Sequence, residues 1–402
     1  MSRRAIVSIG HAIPSRGIDH AGGQYVHRLL SVLARDADVH VLAPWNASNA
    51  PGLELEQPFR ATALGTRGAG VLGRVGALVD LVGLRAVPIV PSPTFSWAVA
   101  TSPQVRALLR RADVIDVQWT DYSALLGLLV RRARRGTRVV CTMHDVISEK
   151  WERRSRADGS AVMRVRARWN AAVARRLERV ALAKADAVVV FSEKDRDLVL
   201  ARHGAATPVV VVDPPLAEGD APGPRTGVDP REVLFVGAMA RPENHDSAMW
   251  FLTEIWPTVL RSVPDAHLTI AGSHPQAPLV ELAERLPSVT LTGYVAELAP
   301  LRERAAVFVA PVVAGAGVKF KVIDAMLARV PVVATSRAQE GIGDGSRYVA
   351  VTDDAGAFAE ATVAALTDPD RYEALAARTC DWAWSRYGQT HFEQTVHAVY
   401  GR

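Results

Sequence analysis

The sequence predicts an α/β protein of two doubly wound domains, and three observations carry that expectation. Short apolar, β-branched runs alternate with helical patterns along the chain, the rhythm of parallel sheets covered on both faces. Its 402 residues exceed what one hydrophobic core usually supports and suit two domains facing a cleft. Residues 214–230, poor in periodicity and rich in Pro, Gly and Asp, divide the runs into two series and read as a linker.

In chain order, AIVSIG, VHVLAP, VIDVQW, RVVCTMH, AVVVFS and PVVVVDPP read as strands of a first domain over residues 1–213. Within it, residues 44–103 are rich in Gly, Ala and Pro, and loops with one helix are expected there. VLFVGA, HLTIAG, VTLTGY, VFVAPV and PVVATS give the strands of a second domain over residues 231–383. After it, Trp384, Tyr387, Phe392, Val396 and Tyr400 recur at roughly helical spacing, so residues 384–402 read as a C-terminal helix crossing back to the first domain.

Hydrophobic residues make up 49% and charged residues 22%, which excludes a disordered or fibrous chain. No apolar run reaches the roughly 18–20 residues that span a bilayer, and the opening apolar stretch is short for a signal peptide, so a cytoplasmic protein is expected. Cys141 and Cys380 stand alone, without disulfide or zinc spacing, and are expected to be buried.

Between positions 150 and 184 lie eleven Lys or Arg against three acids, whereas the whole chain nets +5. A localised basic face follows, and no broad nucleic-acid surface. Val162, Val165, Trp169, Val173, Leu177 and Val180 fall on one helical face, with Arg164, Arg168, Arg175 and Arg179 on another. This is either a core-facing helix with a solvated basic side, or a peripheral contact with anionic lipid or an acidic acceptor.

The most informative segment is AGAGVKFKVIDAMLARVPVVATSRAQEGIG. Gly315 and Gly317 precede a helical pattern beginning at Val318, so backbone amides at a helix start can meet a phosphate, with Lys319 and Lys321 adding charge. Asp324, the acid of that helix, suits ribose hydroxyls; a solvated helix start is the plainer alternative. His144 follows an apolar strand, where open parallel sheets bind ligands, although histidines there are commonly structural. Asp145 is its neighbour, and His11 and His20 are weaker candidates. Gly22 and Gly23 read as a plain turn before a helix carrying Val26, Leu29, Leu30 and Leu33. Asp195 and Asp197 match a metal-binding D-x-D, but after Ser192 they read better as a capped helix start.

The segment from Gly315 to Gly341 resembles the donor-binding motif of retaining glycosyltransferases of the GT-B architecture, especially glycosyltransferase family 4. LFVGAMARPENHDSAMWFLTEIWP, HLTIAGSHP and VTLTGYVAEL are similar to earlier elements of that family's second domain, and GIDHAGGQYVHRLLSVLARDADVHVLAP to its N-terminal loop and first helix. The resemblance implies two Rossmann-like domains, a nucleotide-sugar donor held by the second, and no metal or other cofactor. It makes Gly22 and Gly23 the loop approaching the donor diphosphate, His144 a contact of the donor sugar, and Asp324 the ribose ligand. The family's second acid falls at Ala316 and is missing, as in a related branch whose helix opens G-x-G-V-K-x-K. Glu340, before Gly341, could face the site instead. Where the family has a basic pair, Ala238 stands for the arginine, Arg241 is the substitute, and Glu243 and Asn244 occupy the lysine's neighbourhood. Gly237 allows close approach of the nucleotide or merely ends a strand.

The function implied is hexosyl-type transfer to an acceptor of unknown kind, whether glycan, lipid-linked or small molecule, with retention. Its rivals are a sugar-nucleotide epimerase of the same fold, whose acidic cluster is not apparent, and a binding protein that has lost catalysis.

Overall fold

The computed structural model describes residues 3–401 apart from 16, 17, 19, 20, 66–70, 87, 157–159, 205, 218, 220 and 316; His20 and Ala316 thus lie outside the described residues. The chain divides into two compact units, Met1–Pro214 with Glu393–Arg402, and Pro215–Phe392.

In the first unit the described residues form a seven-stranded parallel sheet of β1 (Arg4–Ile9), β2 (Ala37–Pro44), β3 (Arg60–Leu64), β4 (Val114–Gln118), β5 (Arg138–Thr142), β6 (Ala187–Val190) and β7 (Val209–Val211). Their order is β3-β2-β1-β4-β5-β6-β7. The described residues of the second unit form six parallel strands: β8 (Asp229–Val236), β9 (His267–Ala271), β10 (Val289–Gly293), β11 (Ala305–Ala310), β12 (Val332–Ala334) and β13 (Ala350–Val351), ordered β10-β9-β8-β11-β12-β13. Each sheet winds outward from its first strand and then restarts on that strand's other side. The reversal opens a crevice at the carboxyl ends of β1 and β4, and of β8 and β11, where ligands bind in such sheets.

Central strands read as continuous apolar runs because helices cover both faces. All of β4, β6 and β11 is buried. Ile9, Val117, Leu126, Cys141 and Val188 share one core; Phe235, Phe251, Trp256, Val309 and Phe358 share another. Residues 44–103 hold more structure than the sequence suggests. They contain the edge strand β3 and the helices Ala50–Glu54, Val71–Ala86 and Pro93–Thr101. Their weak periodicity has local substitutes: Ser92 caps Pro93–Thr101 through the Phe95 amide, and the Asp80 carboxylate takes both the amide and the hydroxyl of Thr94.

Strand β8 begins at Asp229, inside the stretch read as linker. Residues 384–392, grouped with the first domain on sequence, pack with the second unit. The Tyr387 carbonyl accepts from the Leu216 and Ala217 amides at 3.0 and 3.1 Å, and the Trp384 indole donates to the Leu327 carbonyl at 3.0 Å. The last residues of the helix Gln389–Tyr400 join the first unit. There Arg138 donates to the Val399 carbonyl at 2.7 Å, Arg4 to the Tyr400 carbonyl at 2.8 Å, and Arg35 pairs with Glu393 at 2.8 Å.

The basic helix, Ala161–Lys184, turns a different face inward from the one expected. Ala167, Asn170, Ala171, Ala174, Leu177 and Ala181 are buried, whereas Val162, Val165 and Trp169 are 61–78% exposed. Small alanine side chains let the helices Ile147–Arg156 and Ala161–Lys184 approach closely, and the larger apolar stripe of the first turns is left in solvent. Both cysteines are buried.

Candidate functional site

In the second unit, β8 ends beside Gly237 and leads through Arg241 into the helix Pro242–Trp250; β11 leads through the loop 311–319 into the helix Phe320–Leu327. That second helix starts later than the apolar pattern suggests. Val318 precedes it and packs on the core, and Lys319 occupies its cap position without a side-chain cap. Gly315 and Gly317 have φ of 107° and 78°, values that a side chain disfavours and that aim the loop into the helix start. The two helix starts meet: Lys321 Nζ donates to Asn244 Oδ1 at 2.9 Å, Asn244 Nδ2 donates to the Ala238 carbonyl at 3.0 Å, and the Val313 amide donates to Ser247 Oγ at 3.3 Å. Lys319 Nζ donates to the Gly317 carbonyl at 2.6 Å, and Arg337 reaches the Gly315 carbonyl.

The lysines are half-buried rather than exposed as helix-start lysines usually are. Lys321 sits over the Phe235 ring at 4.9 Å. Burial chiefly, then the neighbouring charges of Lys319 and Arg241, push its pKa down to about 7, with Glu243 opposing. A cation held this reluctantly gains by meeting an anion. Two helix starts and the side chains of Arg241, Lys319 and Lys321 thus lie on the carboxyl side of the sheet reversal, the kind of place where helix amides and positive charge favour an anion. Asp324 lies one turn further on, 3.8 Å from Arg302. Glu340 follows the short helix Ser336–Gln339 and is half-buried.

The corresponding place in the first unit is aromatic. Gly22 and Gly23 belong to the first turn of the helix Ala21–Asp36, not to a loop before it. A Cβ on Gly22 would lie 3.1 Å from His144 Nδ1 and 3.4 Å from Trp119, so its bareness makes room for those rings. Trp119 stacks on His144 with centroids 4.4 Å apart and meets His11 at 3.6 Å; Tyr25 and Phe191 stand edge-on to His144. The Trp119 backbone has φ 70° and ψ 138°, a strained conformation for a bulky residue that persists only where its surroundings enforce it. His144 Nε2 lies 2.9 Å from Gln118 Oε1. Asn49 pins the loop after β1 through the Ile13 amide and the His11 and Pro44 carbonyls.

The structure therefore gathers Gly237, Arg241, Gly315, Gly317, Lys319 and Lys321 in one unit and Gly22, His11 and His144 in the other. Sequence reasoning missed Phe235, Trp119, Gln118 and Asn49, and named Asn244 without giving it a role. For Asn244 its place beside Arg241 was a usable signal; the others are joined by folding alone. Ser192 does cap the helix Glu193–His203, accepting from the Asp195 amide at 3.1 Å and donating to its carboxylate at 2.6 Å.

Two parallel sheets, each reversing beside its first strand, are the architecture of glycosyltransferases of the GT-B type. Residues 22–216 match the family model Glycosyltransferase Family 4 and residues 230–368 match Glycosyl transferases group 1; the chain belongs to these glycosyltransferases. A stretch of 118 residues is 34% identical to an uncharacterized 44.6 kDa protein in the cps region of Klebsiella pneumoniae, spanning 28% of this chain and 30% of that relative's length. The fold, over 99% of the chain, is similar to sucrose-phosphate synthase from Thermosynechococcus elongatus (TM-score 0.69, 16% identity, 98% of that chain). It is likewise similar to Anabaena HepE in complex with UDP and glucose (0.61, 13%, 100% of that chain) and to WaaG, a glycosyltransferase involved in lipopolysaccharide biosynthesis (0.61, 15%, 100%), again over 99% of this chain.

Proposed function

We propose that the chain transfers a sugar from a nucleotide-sugar donor to an acceptor hydroxyl with retention of anomeric configuration. The observation that carries this reading is the cationic cluster of Lys319, Lys321 and Arg241 at two helix starts on the carboxyl side of β8 and β11. Fixed positive charge aimed at a departing diphosphate is the main electrostatic need of such a transfer, and these groups meet it without calling on a metal. The bond from the anomeric carbon to the phosphate oxygen breaks, the acceptor oxygen bonds to that carbon, and the acceptor's proton passes to the departing phosphate. Asp324 takes the ribose, Gly22, Gly23, Gly237, Gly315, Gly317 and Val318 bring backbone close to the donor, and His144 and Glu340 meet the sugar. A UDP-sugar is the first donor to try, because the HepE structure was solved with UDP and glucose.

On the acceptor side we read the exposed Val162, Met163, Val165 and Trp169 among Arg164, Arg166 and Arg168 as a peripheral contact with anionic lipid at the cytoplasmic membrane face. No described helix is long and apolar enough to cross a membrane.

Incubation with a panel of UDP-, GDP-, dTDP- and ADP-sugars tests the reaction. Release of the matching nucleoside diphosphate, by transfer or slow hydrolysis, is the expected result. Conversion of the sugar without release would indicate an epimerase, and binding without turnover a protein that has lost catalysis.

A further inference from the structure

Beneath the first unit's aromatic cluster runs a buried polar chain that the proposed reaction does not use. Asp116, fully buried in β4, accepts from Ser8 Oγ at 2.7 Å, Tyr400 Oη at 2.7 Å, and Gln118 Nε2 at 2.8 and 3.0 Å to its two oxygens. The Gln118 amide nitrogen also reaches Thr142 Oγ1 at 3.3 Å. Gln118 is itself fully buried. With its nitrogen turned to the carboxylate, its carbonyl oxygen is left facing His144 Nε2 at 2.9 Å. An amide oxygen only accepts, so the imidazole nitrogen opposite it carries the proton.

We propose that Gln118 is a positioning residue for His144, holding the neutral ring as the Nε2–H tautomer, with Asp116 and Tyr400 of the C-terminal helix fixing the Gln118 amide in turn. Residues 116 and 118 point the same way along β4 because side chains alternate across a strand, which is how one strand supplies both links. The stacked Trp119 and the bare Gly22 then hold the ring plane, so Nδ1 is presented on the side of the helix start Ala21–Asp36. Burial pushes the Asp116 carboxyl up while its three donors pull the other way. A proton on Asp116 directed at Gln118 would turn the amide over, make Gln118 the donor to His144, and reverse the tautomer. The tautomer thus reports which form the buried chain adopts. That His144 meets a donor sugar rests on the transferase reading; the tautomer does not.

The test is a long-range ¹H–¹⁵N spectrum of histidine-labelled full-length protein at a pH where the ring is neutral, with His144 assigned by the signals missing in His144→Gln. The expected pattern has Nε2 protonated and Nδ1 unprotonated in the wild type. In Gln118→Met, which removes the acceptor but keeps the volume, the pattern should average toward a mixture, and turnover of whichever nucleotide-sugar the panel shows to be used should fall about tenfold in kcat with KM changed less than threefold, the scale seen for residues that orient metal-bound histidines. A wild-type Nδ1–H tautomer overturns the proposal even if the variant fails to fold. An unchanged, locked Nε2–H tautomer in folded Gln118→Met overturns it as well. Absence of any glycosyl transfer would count against the function but leave the spectroscopic result decisive for the chain itself.

Discussion

The two sheet reversals share a topology and differ in chemistry. At β8 and β11 the crevice is cationic and built from backbone turns and helix starts, with Lys321 half-buried at a cost. At β1 and β4 it is aromatic, with imidazole, indole and phenol rings braced by a buried carboxylate. The same winding of strands therefore delivers two kinds of contact: one suited to charge on a leaving group, the other to a neutral ring and a hydroxyl.

The sharpest way to break this contrast is to remove the half-buried Lys321. Lys321→Ala is expected to lower kcat/KM for the donor by about 100-fold, the scale of losing one preorganised electrostatic partner, while thermal stability holds or rises. Because the folded pKa of Lys321 lies near 7, below the ordinary lysine value of 10.5, the unfolded chain binds the extra proton between those values. Wild-type stability therefore rises as pH climbs through that window, and the variant should lack this slope in pH-dependent melting. A retained slope would show that Lys321 is not the titrating group.

Gly22→Ala probes the aromatic side. Its new methyl must displace His144 or Trp119, so turnover should fall about tenfold. Melting temperature should change little, because alanine in a helix contributes about 0.5–1 kcal/mol over glycine and offsets the crowding. Full activity would mean that the His144 position is not critical. Smallest in effect is Trp169→Ser on the exposed stripe. Sedimentation with anionic vesicles should drop several-fold while activity on a soluble acceptor stays within twofold; equal binding of the wild type to neutral vesicles would remove the electrostatic argument.

Which half was legible in the sequence follows from how each site is assembled. The proposed cationic site is largely contiguous, Gly315 to Lys321 with Arg241 to Asn244, so spacing singled out Gly315, Gly317, Lys319 and Lys321, while Gly237 and Arg241 came through the family resemblance. The aromatic site draws single residues from the ends of β1, β4 and β5 and from the C-terminal helix, and only the order β3-β2-β1-β4-β5-β6-β7 joins them. Nothing local signals that Trp119 adopts φ 70° or that Tyr400 closes on Asp116. Of the two readings of the basic helix, the core-facing one fails for Val162, Val165 and Trp169, because the alanines of the neighbouring face allow the tighter helix contact. Strands such as β4, β6 and β11 were readable because burial makes them continuous apolar runs, whereas the edge strands β3 and β13, only partly buried, were not.

The most direct test of the cationic site is calorimetric titration at pH 8, in two buffers of different ionisation enthalpy, with whichever of UDP, GDP, dTDP and ADP gives the largest thermal shift. Net proton uptake on binding is predicted, because an anion beside Lys321 draws its lowered pKa back up. In Lys321→Met the uptake should vanish and affinity should fall about 100-fold, about 2.7 kcal/mol. Equal affinity in both proteins with no proton uptake would contradict the assignment of the donor diphosphate to this site.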